Sequence, residues 1–400
     1  MIQRALAGPL EHHLARGKSV LLLGPRQTGK TTLLASVAAD LRVSLVEPRS
    51  RQRYEKDPSL LNAEVLALGK KRPLVIVDEV QRVPDLMDVF QHLIDQRVAQ
   101  LILTGSSARR LKRGHATNLL PGRVVSLRLD PLTLGEHFPR SLQDLLTQGA
   151  LPAVRLEEHE RDRDEDLRSY VETYLEEEVR QEALVRKMAP FGRFLELAAL
   201  ESGQVTNFAA IAQAIGVSAP TVAQYYEILV DCLVAERIEP ITRSRTRKRL
   251  TKSAKHLFFD LGVRREAAGE GSRLGPVRLG ELFEQAVALE LIRVCRLYHP
   301  ATRVRFWRDP EGPEVDWVIE HQGAFVPIEV KWTDHPRGGD AKHLMTFMAE
   351  YPEAGRAFVL CRTPRAMTLA DNVTALPWEI LRDLENPILA ALGGLKDGGA

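Results

Sequence analysis

The segment Gly24-Pro25-Arg26-Gln27-Thr28-Gly29-Lys30-Thr31 constrains this chain more than any other stretch. It follows the apolar run Ser19–Leu23 and opens a helical pattern from Lys30 to Leu41, the context in which G-x-x-x-x-G-K-[ST] is a phosphate-binding loop. Its glycines let successive backbone N–H groups converge on one phosphate, and the following helix N-terminus adds partial positive charge. Lys30 is placed to reach β- and γ-phosphates and Thr31 to ligate Mg²⁺, so residues Gly24 to Thr32 form the candidate nucleotide site. Such a loop needs a parallel sheet behind it. The first 135 residues supply one, with strand candidates at Val43–Val46, Leu74–Val77, Gln100–Thr104 and Val124–Leu129 and a helix at Asp85–Gln96. The expected class is α/β.

Two further strand ends complete the chemistry. Leu74–Val77 runs into Asp78-Glu79, which predicts one carboxylate for the Mg²⁺ shell (Asp78) and one to polarise an attacking water (Glu79). Leu101-Ile102-Leu103 ends in Thr104-Gly105-Ser106-Ser107, where Ser106 is the candidate γ-phosphate or water sensor, with a plain strand-ending turn as the alternative. Arg109, Arg110, Arg113 and Arg123 follow. Arg123 is the best candidate for a finger reaching a neighbouring subunit's phosphate, against surface arginines as the alternative.

Beyond residue 140 the pattern changes. Residues 141–200 read as helices, expected to form a lid or linker. In 201–263, helices at Phe208–Ile215 and Ala219–Asp231 flank a Gly216-Val217-Ser218 turn, and strands at Leu233–Ile238 and His256–Asp260 follow, the order of a winged helix-turn-helix. Ser218, Thr221 and Gln224 lie near the N-terminal end of the second helix, placed for DNA. Arg243, Arg245, Arg247, Lys248 and Arg249 would form a wing tip contacting phosphates, or dock an acidic protein surface. Arg264 to Gly275 reads as a linker. From 276 to 395 a helix at Gly280–Tyr298 and strands at Arg303–Trp307, Val315–Ile319, Ala324–Trp332 and Arg356–Cys361 predict a separate α/β unit.

Charge is locally polarised. The chain's net charge is +2, yet Glu157–Glu178 holds eleven acids against three arginines, and Thr242–Lys255 holds seven bases and no acid. Nucleic acid would therefore be met at one defined place. No apolar run approaches the roughly 18 residues of a membrane span, and the N-terminus lacks a signal peptide's apolar core. Cys232, Cys295 and Cys361 lack the spacings of zinc or redox pairs, which predicts a reduced cytoplasmic setting.

GPRQTGKTTL, LVIVDEVQ, ILTGSSARRL, LPGRV and PLTLGE, with KSAKHLFFDLGV, LGELFEQAVALELIR and IEVKW downstream, resemble the AAA-type (AAA+) ATPases of archaea and bacteria that carry a conserved C-terminal domain of unknown function. The likeness spans about residues 1 to 365, with Ser253-Ala254-Lys255 standing where similar proteins have Ala-Pro-Lys. It implies an ATPase domain at 1–140, a helical lid, a winged helix and a restriction-endonuclease-like domain, working as a homo-oligomer, a hexameric ring being the leading picture. Glu314-Val315-Asp316 and Glu329-Val330-Lys331 on paired strands resemble the core of PD-(D/E)xK nucleases. There Glu284, Asp316 and Glu329 would hold a second metal, with Lys331 stabilising charge. The expectation is an ATP- and Mg²⁺-dependent ATPase remodelling or translocating on duplex or branched DNA. The alternatives are a nucleotide-state switch binding a protein partner and an ATP-dependent endonuclease.

Overall fold

A computed structural model describes residues 2–107, 120–175, 188–243, 250–309, 312–383 and 385–393. Five parallel strands form the first sheet: β1 (Ser19–Leu23), β2 (Leu41–Ser44), β3 (Leu74–Asp78), β4 (Gln100–Gly105) and β5 (Val124–Arg128), in the order β2-β3-β4-β1-β5. Period-two alternation sends Val20, Leu22, Ile76 and Ile102 to one core, and Leu21, Leu23, Val75, Val77, Leu101 and Leu103 to the other. The sheet is thus buried on both faces, and its loop-bearing strand β1 lies inside it. The helix after the phosphate loop, Lys30–Ala35, is shorter than the pattern to Leu41 predicts. Arg42 of β2 explains the stop, since its guanidinium bonds the carbonyls of Leu34 and Val37 at the helix end.

Helices dominate the next stretch. Phe208–Ile215 and Ala219–Asp231 form where the spacing predicts them, the first closed by left-handed Gly216 and the second capped by Ser218, whose Oγ accepts from the Thr221 N–H. They precede an antiparallel pair, β6 (Ala235–Ile238) and β7 (Lys255–Phe258). The linker expected at Arg264–Gly275 begins later, since only residues 268–275 lack helix and strand. Leu261–Ala267 is a helix capped by Asp260, with Arg264 buried against the Ala199 carbonyl and Glu270, and Arg265 buried against Asp164. Its charges imitate linker composition because two of their partners, Ala199 and Asp164, are far away in sequence.

The C-terminal sheet contains β8 (Arg303–Arg308), β9 (Glu314–His321), β10 (Ala324–Val330), β11 (Ala357–Cys361), β12 (Met367–Ala370) and β13 (Val373–Pro377), in the order β12-β13-β11-β10-β9-β8. β9 and β10 join through Gln322-Gly323, both at positive φ, a two-residue turn that sets their register. β12 escapes the sequence pattern because this edge strand is half exposed, whereas β13, also unforeseen, is mostly buried. One core joins this sheet and the helix Pro276–Tyr298 to Leu134, Leu145, Leu146, Ile238, Leu257 and Leu261, so packing crosses the divisions drawn from sequence.

Candidate functional site

The phosphate loop leaves β1 at Gly24, where a Cβ would come within 2.4 Å of the Leu129 carbonyl oxygen, so a side chain there would displace the adjoining strand's exit. Gly29, at φ +92°, supplies the left-handed turn into the helix Lys30–Ala35. Lys30 is buried and donates to the carbonyls of Gly24 (2.8 Å) and Pro25 (3.0 Å). Thr28 Oγ1 donates to Pro25 at 2.9 Å, closing the loop on itself. Thr31 and Thr32 lie exposed on the helix's first turn.

β3 and β4 deliver the acids and their supports. Asp78 accepts a hydrogen bond from the hydroxyl of Thr104, which in turn accepts from the Glu79 N–H at 3.1 Å. Glu79 has φ +57°, a conformation a non-glycine residue holds only where its surroundings impose it. Its Oε2 accepts from Ser106 Oγ at 3.0 Å and from buried Gln81 Nε2, and Gln81 also donates to Ser106 at 2.9 Å. Ser106, the sensor candidate, thus meets Glu79 directly. Gln81 and Thr104 are its unforeseen supports, although both stand in the quoted motifs.

Lys30, Thr31, Asp78 and Glu79 line one cavity of about 810 Å³, whose other wall is Ile2, Leu132, Pro152, Ala153 and Leu156. That pairing of a cationic and hydroxyl floor with an apolar wall suits a nucleotide with Mg²⁺. Two residues that the motifs do not signal brace the loop. Arg4 donates to the Thr28 and Asp130 carbonyls and pairs with Glu136, and Tyr170 donates to the Arg26 carbonyl at 3.4 Å. Arg123 lies outside this cavity, its guanidinium paired through both arms with Asp95 at 2.7 and 3.0 Å; a role in trans would require that pair to open. Arg109, Arg110 and Arg113 lie outside the described residues.

At the helix pair, Ser218 and Gln224 are exposed and Thr221 half-buried, but Ser218 and Thr221 are already bonded to each other at 2.8 Å. Arg243 is exposed; Arg245, Arg247, Lys248 and Arg249 lie outside the described residues. The basic run also loses a member, since Lys255 turns inward, 3% exposed.

The expected second metal site comprises Glu284, Asp316 and Glu329, and each of these carboxylates has a partner within the chain. Among the described residues no group of three or more His, Cys, Asp or Glu side chains could hold a metal ion. Glu284 instead meets Lys255 Nζ at 3.2 Å, and Glu314 meets the same ammonium at 3.1 Å. One oxygen of Asp316 accepts from the Val330 N–H at 2.7 Å, and one oxygen of Glu329 accepts from Lys331 at 2.6 Å. Burial, then Asp316's charge, push Glu284 up to about 7 against the pull of Lys255. Asp316 and Glu329 are likewise raised, chiefly by burial, with Glu329's charge adding to the rise at Asp316. Burial works to deprotonate Lys255, but Glu284, Glu314 and Asp316 outweigh it and hold the ammonium charged.

Residues 16–138 match the AAA domain family, residues 139–274 a domain of unknown function (DUF8612), and residues 279–381 another (DUF4143). Uncharacterized proteins of Mycobacterium bovis and Mycobacterium tuberculosis are each 29% identical over 377 residues, covering 94% of this chain and 83% of theirs. Protein VC1899 from Vibrio cholerae, 12% identical over 94% of this chain and 98% of that one, superposes with a TM-score of 0.23, too low to bear on the fold. No helix among the described residues is long and apolar enough to cross a membrane. The match of residues 16–138 to the AAA domain family and of residues 279–381 to a domain of unknown function supports an AAA-type, nucleotide-binding ATPase with a C-terminal domain of unknown function.

Proposed function

We propose that this chain hydrolyses ATP with Mg²⁺ and couples the cycle to remodelling of, or movement on, duplex or branched DNA, working as a homo-oligomeric ring in the cytoplasm. The observation that carries the ATPase reading is the meeting of Lys30, Thr31, Asp78 and Glu79 in one cavity, with Glu79 held by Ser106 and Gln81. Mg²⁺·ATP, when bound, supplies the electrophilic γ-phosphorus and neutralises phosphate charge. Lys30 would exchange the Gly24 and Pro25 carbonyls for phosphate oxygens, and Thr31 and Asp78 would hold the ion. Glu79, oriented by two donors, would position a water and draw its proton. DNA binding is supported by exposed Ser218, Gln224 and Arg243, beside the run of bases that follows.

A switch acting on a protein partner is the second reading. The observation favouring it is a buried charge network tying the nucleotide unit to both others: Asp130 pairs with Arg128 at 2.9 Å and with Arg296, and Arg296 pairs with Glu236 at 3.0 Å. Burial would raise the Asp130 carboxyl, but Arg296 and Arg128 hold it below its usual range. The steady-state ATPase rate with duplex, single-stranded and four-way-junction DNA at two salt concentrations, with Lys30→Ala as blank, separates the two. Stimulation by one DNA form that weakens with salt is the expected result. A low rate indifferent to every DNA would replace DNA with a protein partner. A wild-type rate equal to the blank would remove the ATPase reading itself.

A further inference from the structure

Lys255 stands on β7, in the middle of the chain, yet its side chain ends inside the acidic end of the C-terminal sheet. Its ammonium sits 3.2 Å from Glu284 and 3.1 Å from Glu314, with the rings of Phe306 and Trp317 at 5.0 and 4.9 Å. Carboxylates below and aromatic faces beside it make a fitted cation pocket. The neighbouring Glu329 is 4% exposed, and its Oε2 has no hydrogen-bond partner among the described residues. A negative site of this depth needs a counter-charge, and the chain itself brings one.

We propose that Lys255 is the built-in cation of this site, filling the place a divalent metal would need and latching the middle unit to the C-terminal sheet. A divalent ion requires carboxylate oxygens at about 2.0 to 2.6 Å. Here one expected ligand, Glu284, and the adjacent Glu314 point at an ammonium, and a second cation within about 4 Å of it would be repelled strongly in so dry a site. While Lys255 is seated, Glu284 is therefore withdrawn from the metal set that it would form with Asp316 and Glu329. The inference stands apart from the ATPase reading, because none of these residues lines the nucleotide cavity.

Two measurements on the full chain test it. Mn²⁺ binding is followed by electron paramagnetic resonance without nucleotide, in an Asp78→Asn background that silences the phosphate-loop site. No Mn²⁺ should bind with Lys255 present; Lys255→Met should gain a site, and adding Glu329→Gln should remove it. Binding with Lys255 in place that Glu329→Gln abolishes, or no gain in a folded Lys255→Met chain, overturns the proposal. Should Lys255→Met not fold, acetic anhydride labelling of the unsubstituted chain, read by mass spectrometry, decides. Lys255 should react at least about tenfold more slowly than exposed Lys252. Equal rates would show that the ammonium does not occupy the site.

Discussion

At the level of single residues, Glu79 carries the sharpest consequence. Its backbone is held at positive φ and its carboxylate by Ser106 and Gln81, so position and direction are set before any substrate arrives. Glu79→Gln keeps the shape and loses the base. It should bind ATP normally while turnover falls about 10²-fold or more, measured by single-turnover hydrolysis beside nucleotide affinity. An unchanged rate would remove the assigned role. Asp78 and Glu79 were legible from sequence because an apolar strand ending in paired acids is a contiguous signal. Gln81 was not, because its meaning depends on which residue of β4 lies opposite, and register across a parallel sheet leaves no mark within either strand.

At the level of elements, the helix Leu261–Ala267 shows how burial can hide behind charge. It packs so closely on the helix Leu142–Gln148 that a Cβ at Gly262 would lie 2.3 Å from the Gln148 carbonyl oxygen. Gly262→Ala should destabilise the protein by about 1–3 kcal/mol, since backbone must move to admit the methyl group. Gly192, inside the helix Met188–Leu200 with nothing within 4 Å of its Cβ position, offers the opposite case. Gly192→Ala should stabilise by about 0.5–1 kcal/mol through helix propensity alone. Thermal denaturation of both variants checks the pair, and equal shifts would show that the close approach at Gly262 is not felt. The capped helices Phe208–Ile215 and Ala219–Asp231 were readable in advance because Asn207, Gly216 and Ser218 act within their own turns. Leu261–Ala267 was not, because it rests on Ala199, Glu270 and Asp164.

At the scale of the whole molecule, buried charge joins the units and makes stability depend on pH. Glu290 lies under the Leu134 N–H, which it accepts at 2.9 Å, and burial pushes its carboxyl up to about 7 against the opposing charge of Arg293. A folded-state value above the unfolded one means stability that is complete below about pH 4.5 and lost as pH rises through about 7. His256 runs the other way. Burial lowers it to about 4 from 6.5, so its contribution is lost as pH falls through that window. Thermal denaturation between about pH 5 and pH 8 should show the alkaline-side loss reduced in Glu290→Gln, by an amount on the order of a few kcal/mol. A slope identical to wild type would mean that the carboxyl is not protonated in the folded chain. What the sequence by itself determined is what contiguous residues can do alone: the phosphate loop, the acids ending β3, the turn at Gln322-Gly323 and the helix caps. Only the tertiary structure decided where Arg4, Gln81, Lys255 and Arg264 end, because a charge or amide carries no record of its partner until the chain has closed the loop between them. Lys255 is the clearest case, read as the last of seven bases in a run without an acid and found between two carboxylates more than 25 residues away, in a site that its own ammonium fills.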